Sequence, residues 1–155
     1  MIASPAAVAA TAFAALYAAH MVADHWVQTD QQAAHKGQSG IVGHWNCFKH
    51  VATYTLIGLG TVIATAAALG HLGQISPVSL AAATVINGAT HYWADRRHTL
   101  AWLARVTAHG NFYRLGAPRP GHDDNPNLGT GSYVLDQSFH IVCLLISAVV
   151  TAIGA

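Results

Sequence analysis

Three pairs of histidine and aspartate recur along the chain with the same spacing of four residues. Residues four apart share one face of a helix, so each pair can direct an imidazole and a carboxylate at one point. A further histidine stands at the start of another apolar segment. We call these seven residues the His/Asp cluster: His20, Asp24, His50, His91, Asp95, Asp136 and His140.

These residue types predict a metal site. Imidazole nitrogen and carboxylate oxygen are ligands of zinc, and also of iron or manganese. One structural zinc needs only four protein ligands, so the cluster is large enough for two bridged ions, or for one ion whose imidazoles are oriented by carboxylates. The alternative is that buried His and Asp form hydrogen bonds that fix the register between helices. All the motifs are expected at the same membrane face, and this convergence favours a metal site over interhelical hydrogen bonds.

Five further residues near the cluster are predicted to assist it. Three polar side chains are expected to orient its ligands through hydrogen bonds: Gln28, Tyr54 and Gln137. Arg96 and Arg97 directly follow Asp95. Their guanidinium groups could hold an anionic substrate beside the metal or extend to lipid headgroups, and both alternatives stay open. The roles of His44, Cys47 and Cys143 are not decided by the pattern.

Composition defines the class of protein that carries the cluster. Of the 155 residues, 53% are hydrophobic and only 8% are charged, whereas a soluble domain has about 25% charged residues. This excludes a disordered chain, a coiled coil and an ordinary soluble domain. The net charge is only +1, whereas a nucleic-acid-binding protein needs a stripe of basic residues. We therefore predict a polytopic membrane protein.

The distribution of charge predicts the helices. The stretches without charge are 1–23, 50–94 and 137–155. A membrane helix needs about 20 apolar residues, so the long middle stretch holds two, separated by a Gly-containing turn before Pro77. The prediction is an all-α, single-domain four-helix transmembrane bundle over 1–155, running up-down-up-down. Its spans lie near 4–26, 48–69, 77–95 and 133–153.

Two segments outside the spans have their own pattern. Residues 95–106 place Leu100, Leu103 and Val106 near one face, which predicts an amphipathic extension of the third helix at the membrane interface. Residues 108–131 are rich in Gly, Pro, Asn and Asp and predict a polar loop. Such a loop could close over a substrate.

Charge asymmetry predicts the orientation. All seven Lys and Arg fall in or beside the loops that follow the first and third helices, so this side is expected to be cytoplasmic. The His/Asp cluster lies at that side, and both termini are expected outside. Residues 1–23 are interpreted as a span rather than a cleaved signal peptide, because no Lys or Arg precedes Asp24.

The motifs resemble a known family. Segments 20–30, 50–54, 91–95 and 135–140 follow, in order, the pattern of the domain-of-unknown-function 3307 family of small bacterial and phage polytopic membrane proteins. The sequence departs from that pattern at His25 and in the 108–131 loop. The resemblance implies a bacterial inner (plasma) membrane location but no activity. The layout is also loosely similar to that of small metal-dependent membrane hydrolases.

The functional hypothesis is metal-assisted hydrolysis of an ester or phosphoester in a lipid-like substrate, because the cluster is expected at headgroup depth. The alternative is a non-enzymatic phage or host membrane factor whose metal is structural and which acts by binding a partner. A metal or proton carrier is least favoured, since residues 55–90 offer few polar groups to continue a path. Membrane lipid is the expected partner, nucleic acid is not, and the oligomeric state is left open.

Overall fold

The computed structural model describes residues 2–117 and 130–155, and over these ranges the chain contains helices and no strand. Residues 118–129, the central part of the predicted polar loop, lie outside the described residues. The helices are α1 (Pro5–Val22), α2 (Asp30–His35), α3 (Gly40–Ala68), α4 (Pro77–Asp95), α5 (His98–Val106), α6 (Gly110–Tyr113) and α7 (Gly131–Thr151). The prediction of an all-α fold is confirmed.

Several helices begin where the sequence provides a capping residue. Ser4 precedes Pro5, and its side chain accepts a hydrogen bond from the amide of Ala7. Ser76 and Pro77 form the same arrangement at the start of α4. A hydroxyl satisfies an amide that the first helical turn leaves free, and proline at the first position has no amide to satisfy.

Four long helices form the body of the molecule. Both α1 and α4 pack against α3 and α7. Small side chains let the backbones approach closely, and one apolar cluster consists of Ala12, Ala15, Leu16, Val62, Leu144 and Ala148. A second cluster consists of Val8, Ala66, Ile75 and Ala152.

Both chain termini lie at the end of the bundle that carries the turn between α3 and α4. The Ala3 amide donates a hydrogen bond to Gln74 Oε1 at 2.9 Å. At the start of α4, the Ser79 hydroxyl donates to the Ile153 carbonyl at 2.8 Å. We call this the terminal end, and the opposite end carries the His/Asp cluster.

The number of membrane helices differs from the prediction. Among the described residues, three helical segments are long and apolar enough to cross a membrane, not four: Pro5–Val27, Gly40–Ala68 and Gly131–Thr151. The predicted span 77–95 is a helix, α4, but it does not belong to this group. Its sequence includes Ser79, Thr84, Asn87 and His91, and these polar side chains lower its hydropathy.

The third helix does not continue along the membrane surface as predicted. It ends at Asp95, and α5 is a separate helix beginning at His98. The helix is interrupted between them because Arg97 adopts a positive φ of 56°, a conformation that no helix interior accommodates. Leu100 and Ala104 are the buried residues of α5. Val106, predicted on the same face as Leu100, is 57% exposed.

Candidate metal centre

A widened helical turn positions the first aspartate. After α1 the chain continues as a π-helical turn over Ala23–Val27, and the Gln28 amide donates to the Ala23 carbonyl at 2.9 Å. Such turns insert one extra residue and occur often at functional sites. Here the turn carries Asp24, whose carboxylate points towards His50 and His91 of the neighbouring helices.

Four possible ligand atoms from three helical segments lie close together. His50 Nε2 and His91 Nε2 are 3.1 Å apart. Asp24 Oδ1 is 3.3 Å from His50 Nε2 and 3.4 Å from His91 Nε2. Asp95 Oδ2 is 3.3 Å from each of the same two nitrogens. We call these four residues the inner site.

Five of the six distances among the ligand atoms of the inner site, those that involve His50 or His91, match the distances in a tetrahedral metal site. Metal–nitrogen and metal–oxygen bonds of zinc are about 2.0 Å, which places neighbouring ligand atoms of a tetrahedron about 3.3 Å apart. The distances from Asp24 and Asp95 to the two imidazoles are 3.3–3.4 Å. Of these side chains, His50, His91 and Asp95 form a group that could hold an ion together.

Hydrogen bonds within the described part of the protein leave buried polar atoms of the inner site without partners. Asp24 Oδ1 and Asp95 Oδ2 are buried, and neither has a hydrogen-bond partner among the described residues. At 3.1 Å, the two facing Nε2 atoms cannot both carry hydrogen, since two N–H groups pointed at each other repel. A cation at the centre would satisfy both oxygens and both nitrogens, and unsatisfied buried polar atoms are otherwise costly.

The remaining three members of the cluster lie beside the inner site. His20 Nδ1 is 3.6 Å from Asp24 Oδ2, and His140 Nδ1 is 3.5 Å from Asp136 Oδ2. The imidazole of His140 lies 4.3 Å from that of His91, measured between ring centroids. All seven predicted residues therefore meet at one end of the bundle, and metal binding by them stays a prediction.

The residues predicted to orient ligands act in different ways. Gln137 Oε1 lies 3.3 Å from His20 Nε2, as an orienting residue should. Tyr54 instead stacks its ring on His91 at 3.7 Å between centroids and donates its hydroxyl hydrogen to Asn87 Oδ1 at 3.0 Å. Gln28 Nε2 is buried without a hydrogen-bond partner in the described part of the chain.

The two arginines predicted to hold substrate differ in position. Arg96 is buried and donates hydrogen bonds to the backbone carbonyls of Lys36 and Gln38. Its guanidinium therefore fixes the connection between α2 and α3. Arg97 donates to the Ala33 carbonyl at 2.9 Å and lines a cavity beside the cluster. Only Arg97 is placed to meet a ligand there.

Sequence reasoning missed Lys36. Its Nζ is 2.8 Å from Asp95 Oδ1, so it balances the charge of that carboxylate on the side away from the inner site. Lys36 follows α2 and lies outside the four motif segments. The spacing of the motifs contains no signal for this contact.

A cavity of about 360 Å³ opens beside the cluster. All three aspartates of the cluster reach it, together with Lys36, Arg97 and Tyr113. Burial raises the pKa of the Tyr113 hydroxyl, and the negative charge of Asp136 acts in the same direction. Tyr113 therefore remains protonated at neutral pH and can donate a hydrogen bond into the cavity.

The other polar residues considered from the sequence lie outside these groupings. Among the described residues, the sets of side chains that could hold an ion consist only of His and Asp from the cluster. Cys47 and Cys143 are buried free thiols. His44 Nδ1 lies 2.6 Å from the Tyr92 hydroxyl. Residues 122–125 contain one His and two Asp, a second possible metal contact by residue type, and they lie outside the described residues.

Comparison with protein families supports the resemblance noted from the motifs. A family model described as "Protein of unknown function (DUF3307)" matches residues 12–154. The chain belongs to this family. No curated protein and no solved structure gives a significant match. The matched range includes every member of the His/Asp cluster, so the candidate metal centre of this DUF3307 protein lies within the part that defines the family.

Proposed function

We propose that this protein is an integral membrane metalloenzyme that hydrolyses an ester or phosphoester of a lipid-like substrate, with zinc at the inner site. The observation that carries the proposal is the set of distances from the two imidazoles to each other and to the two carboxylates, which are 3.1–3.4 Å. Neighbouring ligands of a tetrahedral zinc ion are separated by about the same distance. The adjoining cavity supplies room for a substrate.

Placement in a membrane follows from the helices. In the described part of the chain, three segments are long and apolar enough to cross, and α4 packs against two of them. Val78 and Val85 of α4 are 78% and 69% exposed, which suits contact with lipid chains. We infer that α4 crosses with the others, alternating in direction, in a bacterial inner membrane. The basic residues near the cluster favour a cytoplasmic position for the metal.

The residues around the cavity suit hydrolysis. A bound divalent ion would polarise the scissile bond and activate a water molecule. The Asp136 carboxylate is half-buried and reaches the cavity, where it can accept the proton of that water. Lys36 and Arg97 would hold the anionic part of the substrate. Tyr113 would donate a hydrogen bond to it.

A lipid-like substrate is favoured by a second, apolar groove. This groove measures about 400 Å³, lies between α5 and α7, and includes Leu103, Leu135 and Phe139 in its lining. Leu100 lines both the groove and the polar cavity. A molecule with an anionic headgroup in the cavity could therefore extend a hydrocarbon chain along the groove, where apolar burial stabilises it.

Elemental analysis of the detergent-purified protein tests the metal. We expect stoichiometric zinc in the wild type, and its loss in both Asp24→Ala and His50→Ala. His98→Ala is the matched control, because His98 is an exposed histidine outside the cluster. Wild-type protein without metal after purification free of chelators would overturn the proposal. So would retention of the metal in both cluster variants.

Hydrolysis is tested separately with phospholipid and carboxylic ester substrates in mixed micelles. We expect turnover that chelator abolishes and zinc restores. Asp136→Asn should lower the rate about 10²-fold or more, as loss of a general base does, without loss of zinc from the inner site. Zinc-loaded protein without turnover on any of these esters would remove the enzymatic part of the proposal.

One observation favours a non-enzymatic alternative. The inner site already provides four protein ligands, and a zinc closed by four protein ligands is typically structural. In that case the metal would connect α1, α3 and α4, and the protein would act by binding a partner. Chelation would then lower the unfolding temperature strongly while no ester is hydrolysed.

A further inference from the structure

Two buried histidines of the cluster contribute no ligand atom to the inner site, and each has a ring nitrogen without a hydrogen-bond partner among the described residues. His20 and His140 are 0% and 2% exposed. His20 Nδ1 and His140 Nε2 have no hydrogen-bond partner among the described residues. A buried imidazole nitrogen without a partner is costly unless another group satisfies it.

The opposite nitrogen of each of these rings faces an acceptor. His20 Nε2 lies 3.3 Å from Gln137 Oε1, a carbonyl oxygen that accepts its hydrogen. His140 Nδ1 lies 2.9 Å from the Asp136 backbone carbonyl, which accepts in the same way. Each contact places the hydrogen on the nitrogen that faces the acceptor. His20 Nδ1 and His140 Nε2 are then left with free lone pairs, the arrangement typical of metal-binding histidines.

Asp24 connects these two histidines to the inner site. Its Oδ1 faces His50 and His91, while its Oδ2 is 3.6 Å from His20 Nδ1. The rings of His20 and His140 lie side by side, with centroids 5.1 Å apart. One aspartate can therefore give an oxygen to each of two neighbouring ions.

We propose a second divalent metal position bound by His20 Nδ1, His140 Nε2 and Asp24 Oδ2, with Asp24 bridging it to the inner site. This inference rests on the proposed function. It provides the coordination position for a water molecule that hydrolysis requires. Three protein ligands leave a position for water, as in catalytic sites, whereas the inner site is closed by four. Asp24 and Asp136 both line the cavity, so the open position faces the substrate.

A pair of ions also indicates which class of ester the site would hydrolyse. Ions about 3.5–4 Å apart stabilise the attacking and leaving oxygens of a phosphoryl group together. Lys36 and Arg97 line the same cavity and add positive charge. The second position therefore favours a phosphoester over a carboxylic ester.

Metal stoichiometry and electron paramagnetic resonance of the full chain loaded with Mn²⁺ test this position. We expect two ions per chain in the wild type and a spectrum of exchange-coupled manganese. His140→Ala and His140→Gln should each retain one ion and give the spectrum of isolated manganese. His20→Gln should do the same, so the test does not depend on one variant that fails to fold.

The outcomes separate this inference from the proposed function. A wild type that binds one ion, retained in the His20 and His140 variants and lost in His50→Ala, would overturn the second position and leave the inner site intact. Protein that binds no manganese and no zinc would overturn both. His98→Ala serves again as the control and should bind two ions.

Discussion

Tyr54 shows how a buried aromatic residue can support a candidate metal ligand without being a candidate ligand itself. Its ring stacks on His91 with an angle of 22° between the planes, which limits the rotation of that imidazole. Its hydroxyl points to Asn87 instead of to a member of the cluster. The ring and the hydroxyl therefore have separable effects, one on the orientation of a ligand and the other on the stability of the bundle.

Replacing Tyr54 with phenylalanine should therefore lower stability and leave metal content unchanged. The change leaves Asn87 Oδ1, which is buried, without its donor, and this should cost about 1–2 kcal/mol of unfolding free energy. Thermal unfolding in detergent and elemental analysis would measure the two effects. Tyr17→Phe is the control, because Tyr17 is 42% exposed. Loss of metal in Tyr54→Phe would contradict this separation of roles.

At this scale the sequence predicts which residues meet but not how each one acts. The four-residue spacing brings His and Asp to one helix face, and alternating helices bring the faces together. The rotation of each side chain depends on packing, so the sequence does not reveal that Tyr54 bonds to Asn87. Lys36 was missed for a related reason, because its contact with Asp95 depends on how the α2–α3 connection folds back.

The connection between α2 and α3 is important for the candidate site, because it places Lys36 beside the cluster. Arg96 donates hydrogen bonds to two of its backbone carbonyls, those of Lys36 and Gln38. Gly43 of α3 lies so close that a Cβ atom there would be 1.8 Å from the Gln38 carbonyl oxygen. The position of Lys36 thus depends on a buried arginine and on a glycine without a side chain.

Gly43→Ala should displace this connection. The added methyl group cannot fit beside a backbone oxygen, so overpacking should cost about 1–3 kcal/mol of stability. The zinc affinity should change as well, since the contact between Lys36 and Asp95 is disturbed. Gly60→Ala is a matched control on the same helix, because a Cβ at Gly60 meets nothing within 4 Å.

Thermal unfolding and zinc titration of both glycine variants would test the prediction. Gly60→Ala should be as stable as the wild type or more stable by up to about 1 kcal/mol, because alanine favours helix over glycine. Equal stability of the two variants would show that the connection can move without loss. The role assigned to Gly43 would then be wrong.

The elements follow from the sequence except where the backbone departs from regular helix. Apolar length predicts α1, α3 and α7, and the Ser76–Pro77 cap predicts the start of α4. The π-helical turn at Ala23–Val27 and the positive φ of Arg97 have no signature in residue type, since neither involves glycine or proline. Both depend on tertiary contacts, and they determine where Asp24 points and where α5 begins.

At the scale of the whole molecule, the polar and the basic residues of the candidate site lie at the same end of the bundle. The cluster, Lys36, Arg96 and Arg97 all lie there, whereas the terminal end has contacts such as Ala3 with Gln74 and Ser79 with Ile153. A membrane protein with this asymmetry should insert with its basic end in the cytoplasm. The metal would then enter from the cytoplasm, and the substrate headgroup would belong to a lipid of the cytoplasmic leaflet.

Cysteine labelling in whole bacterial cells would test that orientation. Gly73→Cys lies in the turn at the terminal end, is exposed, and has nothing within 4 Å of its Cβ position. Gln31→Cys lies on α2 at the basic end and is also exposed. We expect a membrane-impermeant maleimide to label Gly73→Cys in intact cells and Gln31→Cys only after permeabilisation. Wild-type protein is the background control, because its own thiols are buried.

The reverse labelling pattern would place the basic end outside and contradict the rule on which the orientation rests. The metal would then be loaded from the outer side of the membrane, and the substrate would be a component of the outer leaflet. Labelling of both variants only after permeabilisation would mean that the terminal end does not reach the outer surface. Because the termini and the turn lie together, that result would also contradict a bundle whose helices cross the membrane in alternating directions.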